Sequence, residues 1–162
     1  MAAGTTLRIG LISDTHGLLR PDVAAFLSGS DHIIHAGDIC DPVILEQLAA
    51  LAPLTAVRGN NDRGAWADGL AATASLQVGG VGIHVVHDLA DLGPAPLDPV
   101  VQVVVSGHSH KPRVEREGPV LHVNPGSAGP RRFKLPIAAA ELLIERGVVV
   151  ARITEFSGRA PS

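Results

Sequence analysis

The chain has 162 residues and a formal charge of −3 at neutral pH, and 46% of it is hydrophobic, supplied mainly by Ala, Val and Leu. That length suits one domain with a substantial core, and the apolar content with few charges excludes long disorder. With an acidic balance, no Tyr, one Trp and three Phe, the chain lacks the basic, aromatic-interleaved surface that general nucleic-acid binding requires.

Cys40 is the sole cysteine, so an intrachain disulfide and a thiolate metal cluster are both excluded; it reads as a small buried filler. Residues Met1 to Thr6 lack the basic start and apolar core of a secretory signal. No run approaches the roughly 18 uninterrupted apolar residues of a membrane helix. A cytoplasmic protein with no membrane partner is the expectation.

In chain order, Leu7 to Ser13 reads as a buried strand and Pro21 to Leu27 as a short helix with proline in its first turn. His32 to Ala36 is the second strand. Asp41 then caps a helix that Pro42 opens and that runs to about Leu51, with Val43, Ile44, Leu48 and Leu51 on one face. Leu54 to Arg58 is the third strand. This alternation predicts βαβ units and a parallel sheet. After Trp66 the pattern turns to hairpins. Ala74 to Val78 and Val81 to His87 flank Gly79-Gly80, and Val100 to Ser106 is another buried strand. Pro112 to Arg116 pairs with Val120 to Val123, and Ala138 to Glu145 with Val148 to Glu155 across Arg146-Gly147. Leu89 to Pro99 is proline-rich with little helical pattern. Residues 156–162 read as a frayed tail of a single domain spanning 1–162.

The chemistry collects where these strands end. Asp14-Thr15-His16, Gly37-Asp38, Gly59-Asn60-Asn61-Asp62, His87 and Gly107-His108-Ser109-His110 each follow an apolar, β-branched run. Singly, each has a plain meaning: a capping aspartate, a turn asparagine, a surface histidine. Together they offer carboxylate, imidazole and amide donors that suit divalent transition metals. Asp14 and His16 sit two apart, so extended backbone would send both side chains the same way, and His108 and His110 repeat that spacing. Asp38 has two oxygens with which to bridge an ion pair. His35 reads as a packed supporting histidine, and His32 and His84 as structural or solvent-facing. His122 is a candidate for the cleft. Arg131 is a candidate phosphate contact or a structural link to the Gly126-Ser127 turn.

The order Asp-x-His, Gly-Asp, Gly-Asn-x-Asp, His, Gly-His-x-His resembles the calcineurin-like metallophosphoesterases. The short chain and the ending Asn124-Pro125-Gly126-Ser127-x-x-Pro130-Arg131 resemble the small YfcE-type phosphodiesterases, over Leu7 to about Arg131. The resemblance implies an α/β fold, a four-layer α/β/β/α sandwich, with metals at the loop ends of two sheets. It places Asp14, His16, Asp38 and His110 on one divalent ion, and Asp38, Asn60, His87 and His108 on a second. Mn is favoured, with Fe, Zn and Ni as alternatives. A hydroxide bridging the ions would attack phosphorus in line with the leaving oxygen. Asp38, Asn60, Asn61 and Asp62 are the residues assigned to catalysis, Asp62 as an orienting group or a stabiliser of its turn.

Two departures bear on substrate. The family usually has His or Cys at Asn61, where His assists the leaving group, and asparagine cannot act as an acid. The family's His-Gly-His becomes His87-Asp88-Leu89, and the helix after it gives way to Leu92 to Pro99. The expected partner is a small phosphorylated substrate, with self-association left open. A phosphodiesterase is the leading expectation. Its rivals are a non-catalytic scaffold on the same fold, as in the retromer subunit that resembles this family, and a nuclease, for which the basic groove is missing.

Overall fold

The computed structural model describes residues 5–93, 97–132 and 134–157. Its strands are β1 (Leu7–Ile12), β2 (His32–His35), β3 (Leu54–Ala56), β4 (Thr73–Val78), β5 (Val81–Val86), β6 (Val101–Val105), β7 (Arg113–Glu117), β8 (Val120–Asn124), β9 (Ile137–Glu145) and β10 (Val148–Phe156). The helices are α1 (Pro21–Leu27), α2 (Pro42–Ala49) and the four-residue α3 (Ala65–Asp68), which no periodicity in the sequence announced. Asp41 caps α2 as expected, its carboxylate accepting from Val43 N at 3.0 Å.

Two five-stranded mixed sheets form, ordered β10-β9-β1-β2-β3 and β4-β5-β6-β8-β7. The βαβ half supplies the parallel trio β1, β2 and β3. The C-terminal hairpin joins that same sheet, β9 running antiparallel to β1 with Leu7 opposite Ile144. In the second sheet β5, β6 and β8 are parallel, with antiparallel β4 and β7 at the edges.

Strand alternation divides the core. Ile9 and Leu11 of β1 face the second sheet and pack with Ile83 and Val85 of β5 and Val103 and Val105 of β6. Ile12 and Ile33 point the other way, against Val23 and Leu27 of α1 and Ile44 and Leu48 of α2. A Cβ at Gly10 would lie 2.7 Å from Leu27 Cδ2, so the bare glycine is what lets α1 settle on the sheet. The outer face of the second sheet carries a thinner cover. A 3-10 turn at Leu89–Leu92 lays Leu89 and Leu92 on Val86, Val101 and Val104. The result is the expected single-domain α/β sandwich, with this turn standing where a helix would complete the outer layer. Of the proline-rich stretch that follows it, residues 94–96 lie outside the described residues.

The tail expectation is corrected at its start. Phe156 is the last residue of β10 and stacks edge-on against Phe26 of α1, ring centroids 5.8 Å apart, so the apolar partner holds it in the sheet. Residues 158–162 lie outside the described residues.

Candidate metal centre

Parallel strands in both sheets deliver their C-terminal ends to one edge of the sandwich, where ligands of α/β folds gather. The loops after β1 and β2 zip together: Asp14 N, His16 N and Gly17 N donate to the carbonyls of Gly37, Asp38 and Ile39 at 2.9, 3.0 and 2.9 Å. The second sheet is stitched on by His108 N donating to Asp14 Oδ2 at 3.1 Å. The close approach requires glycines: a Cβ on Gly107 would collide with Ser13 Oγ, and one on Gly59 with Asp38.

The backbone here differs from the expected extended geometry. Asp14, His16, Asp38, His108 and His110 all have positive φ, between 46° and 71°. These residues occupy the left-handed region, which Asp, Asn and His enter more readily than other side chains. Tight turns, and not strand alternation, therefore aim the ligands. His108 and His110 consequently diverge, one toward Asn60 and the other toward Asp14.

Asp14, His16 and His110 form one convergent group, and Asp14, Asp38 and His87 a second. In the first, His110 Nε2 and His16 Nε2 lie 3.3 and 3.7 Å from Asp14 Oδ1 and 3.3 Å from each other. Asp38 Oδ2 faces both groups, 3.7 Å from His16 Nε2 and 3.3 Å from His87 Nε2. Asn60 Oδ1 lies 2.9 Å from His87 Nε2 and 3.3 Å from His108 Nδ1. Thus all seven residues expected as metal ligands meet at this edge, with Asp14 reaching both groups.

The donors fit divalent cations. Asp14 Oδ1 is fully buried without a hydrogen-bond partner, a costly state for a carboxylate oxygen unless a cation faces it. His87 Nδ1 pairs with Ala36 O at 2.8 Å, which puts its proton there and turns Nε2 to the centre. Burial alone would raise the Asp14 carboxyl, but His110, His16 and Ser13, with the charge of His87, hold it far below the usual carboxylate range. Burial disfavours the His87 imidazolium, yet Asp38 and Asp14 outweigh it and push its pKa up to about 9. A bound cation would take over the balancing of these carboxylates from the proton.

The residues assigned to catalysis separate into different roles. Asp38 and Asn60 stand in the centre. Asn61 lies flat on Asp38, its N and Nδ2 donating to the two carboxylate oxygens at 2.8 and 2.9 Å. Asp62 faces away from the donors: Oδ2 accepts from Asp38 N and Gly59 N at 3.0 and 2.8 Å, and Oδ1 from Cys40 N at 2.8 Å. Both expected roles meet in these bonds: the one to Gly59 N braces its own turn, and those to Asp38 N and Cys40 N tie the neighbouring loop beneath the centre.

Other side chains support the centre through bonds that the sequence did not specify. Ser13 Oγ donates to Asp14 Oδ2 at 2.7 Å, and Ser127 Oγ to Asp14 O at 2.9 Å. Asn124 Nδ2 donates to Gly107 O at 3.0 Å. His35, fully buried, accepts from Gly37 N at 3.1 Å and donates through Nε2 to Thr15 Oγ1 at 3.0 Å, while Thr15 donates to Ile39 O. Burial pushes its pKa down to about 3, so it stays neutral, as a packed supporting histidine should. Cys40 is not buried filler: it is half-buried, with Sγ 3.7 Å from His16 Nδ1 because its left-handed backbone turns it to the rim. Arg131 donates to Leu135 O at 3.2 Å.

Carboxylates, imidazoles and an amide converging at the strand ends of two facing sheets fit a candidate metal centre of the metallophosphoesterase kind. The chain belongs to the calcineurin-like phosphoesterase superfamily, whose domain it matches over residues 7–147. A probable metallophosphoesterase of Methanocaldococcus jannaschii is 36% identical over 137 residues, 76% of this chain and 69% of that protein. Among solved structures, an archaeal phosphodiesterase superposes with a TM-score of 0.75 at 22% identity, over 91% of this chain and 100% of the other. The Escherichia coli phosphoesterase YfcE gives 0.64 at 25% identity, over 85% and 91% of the two chains. Vacuolar protein sorting 29 of Cryptosporidium parvum gives 0.73 at 20% identity, over 96% and 100%. The family and fold are those that the motifs led one to expect.

Proposed function

We propose that the chain is a phosphodiesterase working with two divalent ions, with Mn favoured. The observation that carries this reading is Asp38 Oδ2 standing between two donor groups, 3.7 Å from His16 and 3.3 Å from His87. Asp14, His16, Asp38 and His110 would hold one ion, and Asp38, Asn60, His87 and His108 the other. When bound, such ions supply an activated water as nucleophile and neutralise charge developing on phosphorus. Nitrogen and oxygen donors without thiolate suit Mn, while leaving Fe, Zn and Ni as alternatives.

The chain's own groups shape what this centre can cleave. Asp38 is held in its bridging pose by both donors of Asn61, so that amide is occupied and has no acidic proton for a leaving oxygen. Esters of acidic alcohols, which leave without protonation, are therefore the favoured substrates. His108 is the most open of the histidine ligands, its side chain 46% exposed, and marks where the ester enters. A small phosphorylated substrate fits this site better than a polyanionic polymer, since the chain carries a net charge of −3.

The test is hydrolysis of bis(p-nitrophenyl) phosphate with added Mn, comparing wild type with Asp38→Ala and His108→Ala. Metal-dependent turnover that both substitutions abolish is expected. Tight metal binding with no turnover across Mn, Fe, Zn and Ni would overturn the enzyme reading and favour a partner-binding scaffold.

A further inference from the structure

We infer that the cavity beside His108 is the subsite for the organic arm of the ester, and that it accepts an uncharged ring of up to nucleoside size. The inference rests on the phosphoesterase reading and adds the class of substrate. The cavity measures about 290 Å3 and is lined by Leu89, Ser106, His108, Lys111, His122 and Val123, among others. That is just below the usual range of small-molecule sites, room for one ring and a sugar rather than an oligomer. It begins at His108, whose Nδ1 is 3.3 Å from Asn60 Oδ1, so a phosphoryl group at the centre has its substituent at the cavity mouth.

The lining selects among arms. Leu89 and Val123 supply apolar wall. His122 is nearly buried, and its Nδ1 is fully buried with no hydrogen-bond partner, while its Nε2 lies 3.5 Å from Glu117. Nδ1 is closed to the cavity, so the exposed remainder of the imidazole ring is what forms this part of the wall. Charge on the rim is mostly cancelled: Arg113 pairs with Glu115 and Glu117, and Asp88 lies 3.6 Å from His108 Nε2. Lys111 is the one lining cation without an ion-pair partner among the described residues. The apolar wall and the single unpaired cation suit a neutral ring carrying one acceptor group toward Lys111 better than a polyanion.

The experiment measures dissociation constants of two product-like probes on the Mn-loaded protein by calorimetry: thymidine 5′-monophosphate and methyl phosphate. Both present a phosphate monoester and differ in the arm. Wild type should bind the nucleotide at least tenfold more tightly. Leu89→Trp, which fills the cavity from its rim, should bring the ratio of the two constants close to one. His122→Ala, which removes that side of the wall, should cut that ratio severalfold, so the result does not hang on one variant folding. Equal binding of the two probes by wild type, or a ratio that neither variant changes, would overturn the subsite while leaving the phosphoesterase reading intact. Failure of methyl phosphate to bind at all, with no turnover of the aryl diester, would overturn both.

Discussion

Replacing Asp62 should loosen the centre without touching the reacting atoms. Its buried carboxylate accepts three backbone N–H bonds, from Asp38, Gly59 and Cys40, at 3.0, 2.8 and 2.8 Å. Hydrogen bonds to a charged acceptor contribute about 1.5–3 kcal/mol each, and an orphaned buried donor costs about 1–3 kcal/mol. Asp62→Asn can keep the two bonds to Oδ2 with its carbonyl oxygen, but its NH2 then meets Cys40 N–H, donor against donor. The expected loss is about 2–3 kcal/mol for Asp62→Asn and about 3–5 kcal/mol for Asp62→Ala, water in the vacated space offsetting part of the latter. With a urea slope of about 2 kcal/mol/M, the unfolding midpoint should fall by about 1–1.5 M and about 1.5–2.5 M respectively. Because the freed N–H groups belong to the Asp38 and Gly59 loops, Mn affinity should also fall by about 10- to 100-fold. Urea titration followed by circular dichroism, with Mn calorimetry, reads both quantities. Loss of turnover with stability and Mn affinity unchanged would refute the reasoning and make Asp62 a chemical participant.

Three more outcomes follow from single residues. His35 is held neutral with its pKa pushed from 6.5 down to about 3 by burial, so the unfolded chain binds a proton there that the folded chain refuses. Its contribution is fully present above pH 6.5 and lost as pH falls; from pH 7 to pH 5 this residue alone should cost the metal-free protein about 2 kcal/mol, read as the difference in urea midpoints between wild type and His35→Gln. His87 works in the opposite window, its share present below 6.5 and lost as pH rises through about 9. Asn61→His should restore an acid beside the leaving oxygen and raise turnover of alkyl phosphodiesters by about 100-fold or more relative to aryl ones. An unchanged alkyl-to-aryl ratio would mean leaving-group protonation does not limit the reaction.

Local signals in the sequence were enough for most elements. Asp41-Pro42 marked the start of α2, Gly79-Gly80 the β4–β5 turn, and the boundaries of α1 were readable to the residue. What local pattern could not carry was partnership. Nothing near Ile137–Glu145 states that β9 pairs with β1, because that register is set by aliphatic faces meeting across the whole chain. Helix α3 has only four residues after a glycine at φ 103°, too few for a period to register. The candidate metal-binding residues could be grouped because the order of their motifs resembles that of a known family, each motif alone having a plain turn meaning. Their scaffolding was not legible, since Ser13, Ser127 and Asn124 act through hydrogen bonds to backbone and side chains, those of Ser127 and Asn124 distant in sequence, which residue type does not announce.

The period-two argument failed at the ligands for a physical reason. Left-handed backbone costs a non-glycine residue on the order of 1 kcal/mol, and Asp14, His16, Asp38, His108 and His110 all adopt it. Five such costs are comparable to the whole stability of a marginal domain, so they persist only where surrounding bonds over-determine the conformation. Here the bonds are on both sides of each turn: the Asp14, His16 and Gly17 amides onto the following loop, His35 through Thr15, and Asp62 beneath Asp38. In return the imidazoles point inward from turns too tight for extended chain, and Asp38 lies between two donor groups instead of along one strand face. Local preference is overridden at the residues where two clusters must converge, which is where a functional site is expected to break the rules that the rest of the chain obeys.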